Sequence, residues 1–199
     1  KMRRNLRRAL IPLLLGALVC FSACNSNDLP SNTSANAPAN SAPPNTAFPM
    51  PPTNGGSLNN LGWTFEGNKR NVFSDFRGKV LILDFYATWC EPCRRSVPHL
   101  IELQKKFQDQ GLQVVGLNVG GPDDEPKVPD FAKEFGIQYT LAIPDDELVT
   151  FLMADIDAIP QTFVFDRQGQ LAERLIGYGP NAGGQLDRAV EAALKTPAP

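Results

Sequence analysis

Cys90 and Cys93 are the residues of this 199-residue chain whose type and spacing most directly suggest chemistry. They sit in VLILDFYATWCEPCRRSVP, where an apolar run meets a segment with helical spacing. A Cys-x-x-Cys pair serves a structural disulfide, half of a zinc site, or a dithiol that exchanges with other disulfides. The flanking elements bear on the choice. VLILDFYA reads as a strand buried on both faces. Val97, Leu100, Leu103 and Phe107 recur at helical intervals up to Gly111. Strand then helix puts Cys90 at a helix N-terminus and Cys93 one turn inside, close enough for a disulfide. Free first-turn N–H groups and the helix dipole then favour a thiolate at Cys90. Pro92 lacks an N–H, but the first turn needs none there.

Asp84 interrupts the apolar strand six residues before Cys90. A buried carboxyl is costly unless protonated or paired. Burial would raise its pKa towards neutrality, where it could exchange a proton with Cys93. The alternative is an Asp that reaches the surface or a lysine at the strand edge. Glu91 suits the dipole but would raise the pKa of the neighbouring Cys90. Arg94 and Arg95 offset this or form a solvated face. Trp89 covers the cysteines or packs as an ordinary aromatic. His99, the sole histidine, reads as a surface or packing residue.

The rest of the chain falls into three regions. Residues 1–23 carry five basic residues and no acid, then about 13 apolar residues, the pattern of a secretory signal. A membrane-spanning helix needs about 20. CFSAC resembles a bacterial lipoprotein signal, which implies Cys24 as the lipidated mature N-terminus, with Phe21 where the family usually has Leu. An ordinary signal peptide cut nearby is the alternative. Residues 24–57 are rich in Asn, Ser and Pro, with Asp28 the only charge, and read as a disordered tether. Residues 58–199 form the folded domain, long enough for one core.

Without the five basic residues of 1–23, 14 Lys and Arg face 21 Asp and Glu, about −7. That balance argues against nucleic acid as a partner. Cys90 and Cys93 are the only thiols left to the folded domain, and an exported setting permits disulfides.

Further elements follow from pattern. GWTF and the residues after Gly67-Asn68 form an N-terminal hairpin that leads into a loop ending at Gly78. LQVVGLNV is a second buried strand. VPDFAKEFG is a short helix stopped by glycine. YTLAI is a brief strand, and PDDELVTFLM a helix with acids in its first turn. QTFVFD and LAERLIGY form a hairpin, and PNAGGQLDRAVEAALK is an amphipathic helix. This order predicts an α/β domain, a central mixed sheet flanked by helices on both sides.

DFYATWCEPCRRSVP resembles a thioredoxin-fold active site, specifically that of the membrane-tethered TlpA/ResA group of thiol–disulfide oxidoreductases. Glu91-Pro92 between the cysteines, Trp89 before them and Pro98 after them carry the match. AIPQTFVFDRQGQ resembles a second family element. Similarity runs over roughly 60–195, including a central strand–helix insertion around 120–155. The resemblance implies a thioredoxin fold, with Cys90 as nucleophile and Cys93 as resolving thiol in a redox-active disulfide. It implies that Pro160 is cis and faces the pair, and that the Ile159 backbone and Trp89 contact substrate. Thioredoxin has an acid at the position of Asp84, whereas many tethered relatives do not. The resemblance further implies a reducing role outside the cytoplasmic membrane, with no cofactor beyond the cysteines. Substrates would be proteins with disulfides, for example apocytochrome c, and a membrane thiol reductase would donate electrons.

Three rival classes remain. An oxidising thiol oxidoreductase is one. A metal (copper) or haem-delivery module is another, but zinc takes four ligands, and two cysteines and one histidine supply too few. Thioredoxin-like copper chaperones use Cys-x-x-x-Cys and a distant His, and neither is present. A superfamily peroxidase needs Pro-x-x-x-Thr-x-x-Cys, where this chain has Leu83 and Ala87.

Overall fold

The computed structural model describes residues 58–65 and 67–199, which lie in one compact unit. The expected signal, Cys24 and the tether lie outside the described residues. Seven strands form one sheet: β1 (Gly62–Phe65), β2 (Lys69–Val72), β3 (Val80–Tyr86), β4 (Leu112–Asn118), β5 (Thr140–Pro144), β6 (Gln161–Phe165) and β7 (Leu171–Ile176). The helices are α1 (Glu91–Phe107), α2 (Val128–Phe135), α3 (Asp146–Met153) and α4 (Ala182–Lys195). The strand order is β2-β1-β5-β4-β3-β6-β7. β3, β4 and β5 are parallel, while β1, β2, β6 and β7 join antiparallel, so the sheet is mixed as expected.

β3 is apolar at every position but Asp84 because it is central in the sheet, with helices on both faces. Alternation sorts its side chains. Leu81, Leu83 and Phe85 join a core with Trp63, Phe163 and α3's Leu148. Val80 and Ile82 pack against Leu100 and Leu103 of α1 and Val190 of α4. Tyr86 belongs to a third cluster with Cys93 and Val97 of α1 and Phe131 of α2. Asp84 lies between Ile82 and Tyr86 in this alternation, so it projects towards α1.

Element ends follow local chemistry. Gly111 (φ 90°) and Gly136 (φ 66°) end helical segments in the left-handed conformation that glycine takes without a Cβ penalty. The stretch expected as a loop before Gly78 contains a 3-10 turn, Phe73–Phe76. There Asp75 accepts from the Val72 amide at 2.9 Å, and Phe73 packs edge-on against Phe165. Helix α1 runs on through Pro98.

Candidate active site

The site begins where β3 ends. Ala87 to Cys90 make a turn in which the Cys90 amide donates to the Ala87 carbonyl at 3.1 Å. Cys90 is the N-cap of α1, with extended backbone (φ −80°, ψ 107°) and Pro92 in the first turn. The Cys93 amide donates to Cys90 Sγ at 3.3 Å. The two sulfurs form a disulfide with 5.2 Å between the α-carbons. In the reduced protein the same amide would meet a Cys90 thiolate. An N-cap acceptor satisfies an otherwise orphaned helix donor, and here the acceptor is one sulfur of the disulfide.

Both cysteines are buried, whereas neighbouring Trp89 is 66% exposed. The Ile159–Pro160 peptide bond is cis. The Ile159 carbonyl oxygen lies 3.8 Å from Cys90 Sγ, which brings together two segments 69 residues apart in sequence. The Pro160 carbonyl accepts from the Gly177 amide at 2.8 Å, so this loop is tied to the end of β7. Ile156 and Ile176 are exposed like Trp89. Ile156 lies in the loop that reaches Pro160, and Ile176 is paired with Gln161. Neither isoleucine stands out by pattern: Ile176 ends a strand-like run and looks like a core residue, and Ile156 is a single apolar residue between two aspartates.

Asp84 is 1% exposed. Its Oδ1 accepts from Thr162 Oγ1 at 2.7 Å, across the β3–β6 pair where the two residues are in register. Burial raises its pKa from the ordinary 3.8 to about 7, and the Thr162 hydrogen bond pulls the other way. The carboxyl therefore neither reaches the surface nor meets a lysine. It is held neutral in acid and charged in mild base, inside the layer that carries Cys93.

Glu91 is exposed and 3.8 Å from Arg95, a surface contact of small energetic weight. Arg94 turns away from Glu91. It donates to the Thr88 carbonyl at 3.3 Å, ion-pairs with Glu134 of α2 and lies 4.9 Å over the Phe135 ring. Of the two arginines, Arg95 alone contacts Glu91. His99 bridges Tyr178 and Asp187 at 3.0 and 2.9 Å, fastening α1 to α4. Of the surface and packing roles expected of it, it takes the second, joined to its neighbours by these two hydrogen bonds.

The turn before Cys90 is held by a group that sequence reasoning did not single out. Asp124 is buried beneath Thr88. It accepts from the Thr88 amide at 2.9 Å, from the Thr88 hydroxyl, and from Asn118 Nδ2 at 2.8 Å. Burial raises its pKa, but the Thr88 and Asn118 hydrogen bonds outweigh burial and leave it below the ordinary carboxylate value. Asp123, Asp124 and Glu125 are consecutive acids, and nothing local marks which one turns inward. Thr162 does lie in a recognisable place, the Ile-Pro-x-Thr element. Among the described residues no group of three or more His, Cys, Asp or Glu side chains is placed to hold a metal ion.

The arrangement can do dithiol chemistry: a sulfur at a helix N-cap, a second sulfur bonded to it, a buried carboxyl on the α1 side of the sheet and an exposed tryptophan next in sequence. Comparison with known proteins agrees. Residues 57–174 match the AhpC/TSA family. The chain is 32% identical over 109 residues to the thiol-disulfide oxidoreductase ResA of Bacillus subtilis, covering 55% of this chain and 59% of that protein. It is 33% identical over 112 residues to ResA of Geobacillus thermodenitrificans, covering 56% and 62%. The match thus spans about six-tenths of these relatives' length. The crystal structure of a thiol:disulfide interchange protein, a thioredoxin family protein from Chlorobium tepidum, superposes with a TM-score of 0.58 at 28% identity. That superposition covers 71% of this chain and 99% of the other.

Proposed function

The chain belongs to the AhpC/TSA family, and from that premise we propose that it is a thiol–disulfide oxidoreductase working through Cys90 and Cys93. One observation carries the reading: Cys90 Sγ accepts the first-turn amide of Cys93 while lying against the Ile159 carbonyl of the cis-proline loop. A structural disulfide has no use for a helix N-cap beside an exposed tryptophan and a second loop. Leu83 and Ala87 stand where the family's peroxidases carry proline and threonine, which favours exchange over peroxide reduction.

In the reducing direction the Cys90 thiolate attacks one sulfur of a substrate disulfide. The substrate S–S bond breaks, one substrate thiolate leaves, and Cys90 forms a mixed disulfide. Cys93 then gives its proton to the Asp84 carboxylate and attacks Cys90 Sγ. The Cys90–Cys93 bond closes and the second substrate thiolate departs with the electron pair. Two electrons pass from the dithiol to the substrate. Asp84 suits this step because its proton affinity is close to neutral, which allows both uptake and release. Trp89, Ile159 and Pro160 provide the substrate-facing surface. Glu91 and Pro92 tune the helix start.

The substrates are proteins with disulfides, apocytochrome c haem-site cysteines among them, and a membrane thiol reductase supplies the electrons. The setting is the outer side of a bacterial cytoplasmic membrane, with the domain tethered through lipidated Cys24. The basic and apolar pattern of residues 1–23 supports export, and CFSAC supports the lipid.

The test is the reduction potential of the Cys90–Cys93 couple, measured against glutathione or thioredoxin buffers. A reductase should lie well below the roughly −120 mV of a strong oxidase. A value near that oxidase figure would replace the reducing reading with the oxidising one. Absence of any reversible thiol–disulfide couple would sink both.

A further inference from the structure

Thr162 belongs to the Ile-Pro-x-Thr element, yet no role in the reaction has fallen to it. It is 5% exposed and lies two residues past Pro160, on the strand that begins at Gln161. Strand alternation sends Phe163 into the α3-side core, so Thr162 points to the α1 side, the side of Asp84. Its hydroxyl is the only hydrogen-bond donor to the Asp84 side chain among the described residues. No other side chain around Asp84 donates a hydrogen bond to it. β4 aligns Gly116 with it, which has no side chain. β7 aligns Leu175 with Thr162. α1 brings Cys93 and Val97 to the Tyr86 cluster next to it, and α2 brings Phe131. The titratable groups that share its surroundings are Tyr86 on its own strand and Tyr139 beside β5, and Cys93 joins them only once the disulfide is reduced. Burial raises both phenols, Tyr86 and Tyr139, so neither adds charge near neutrality. No cationic side chain faces the carboxyl from these elements.

We infer that Thr162 is a positioning residue for proton transfer: its hydroxyl sets the pH at which Asp84 gains and loses its proton, and orients the carboxyl from the strand that carries the substrate loop. This rests on the reading of Asp84 given above. The physical reason is the scarcity of partners. A carboxylate in water has many donors, and one more changes little. A carboxylate sealed in a sheet with a single donor depends on that donor for its charged form. The hydroxyl donates most strongly to the anion, so its loss favours the protonated acid. It also joins Asp84 to β6 at a point two residues from Pro160, where the Gly177 amide already fixes the loop.

The experiment uses the full chain with carbon-13 in its aspartate carboxyls. The Asp84 resonance, identified by its loss in Asp84→Asn, is followed through pH 4–10 in the oxidised protein. Thr162→Val keeps the shape and removes the donor. Its Asp84 midpoint should rise by about one pH unit or more, from the value of a hydrogen bond to a charged group. Thr162→Ser should return the midpoint to within a few tenths of the parent. If Thr162→Val does not fold, Thr162→Ala carries the same expectation. An unmoved midpoint in the folded donor-less variant, or a serine variant that fails to restore it, overturns the inference. The pH profile of mixed-disulfide resolution is measured in parallel and should move with the carboxyl. A moved midpoint with an unmoved profile would leave Thr162's control of Asp84 intact and remove Asp84 from the resolution step instead.

Discussion

Asp124 accepts both the amide and the hydroxyl of Thr88, 36 residues earlier in the chain. Thr88 in turn has its carbonyl taken by Arg94, which is ion-paired to Glu134. The turn that aims Cys90 is therefore gripped from both sides by the segment between β4 and the end of α2. This is a buried, fully used carboxylate, and its removal has a definite cost.

Asp124→Ala should leave the Thr88 amide and the Asn118 side-chain amide buried without an acceptor. The expected loss is about 2–4 kcal/mol, read as a lower urea midpoint. Attack by Cys90 on a model disulfide should slow as well, because the turn before it is freed. The folded pKa of Asp124 is depressed, so its contribution is present above the unfolded value near 3.8 and is lost as pH falls through its lower folded value.

Asp84 acts in a different window and with the opposite sign. Its folded pKa, about 7, exceeds the unfolded 3.8. The protonated carboxyl's contribution is complete below pH 3.8 and is lost as pH rises through about 7. The span corresponds to about 4 kcal/mol at most. Asp84→Asn should remove that slope while keeping an acceptor for Thr162. Urea unfolding of the two oxidised proteins at pH 5 and pH 8 makes the check. The variant's advantage should grow with pH, and equal slopes would show that Asp84 does not carry a raised pKa.

Cys93→Ala should accumulate the mixed disulfide at Cys90, seen as added substrate mass under non-reducing conditions. Cys90→Ala should give none. Asp84→Asn in the otherwise intact protein should form the mixed disulfide at the parent's rate and resolve it more slowly. Stopped-flow measurement of the two phases separates these steps.

Gly116→Ala probes the space beside the acid. A Cβ at Gly116 would lie 2.6 Å from Leu141 Cδ2 and 3.2 Å from the Tyr86 ring. Leu141 Cδ2 is the end of a flexible, half-buried side chain and can swing aside, whereas the buried Tyr86 ring must give by a few tenths of an ångström, at a cost of about 1 kcal/mol. A thermal melt should show the loss even though one methyl group has been added to a core.

Sequence pattern alone located the strands and helices, because each has a period or a terminator written in consecutive residues. The buried run of β3, the helical spacing from Val97 to Phe107 and the glycines at 111 and 136 are of that kind. It also placed Cys90 at a helix start with Cys93 one turn on, since that relation is local. It showed that an acid interrupts β3, and the resemblance in Ile159-Pro160 pointed to a second loop. What it left open was every contact that spans the fold. Only the tertiary structure decided that Asp84 meets Thr162 rather than water or lysine, that Arg94 serves Thr88 and Glu134 rather than Glu91, and that Asp124, not its acidic neighbours, turns inward. Local periodicity is fixed by backbone geometry. A hydrogen bond between residues 36 or 78 positions apart depends on strand register and on which side chain packing seals from solvent, and neither is written in the residues nearby.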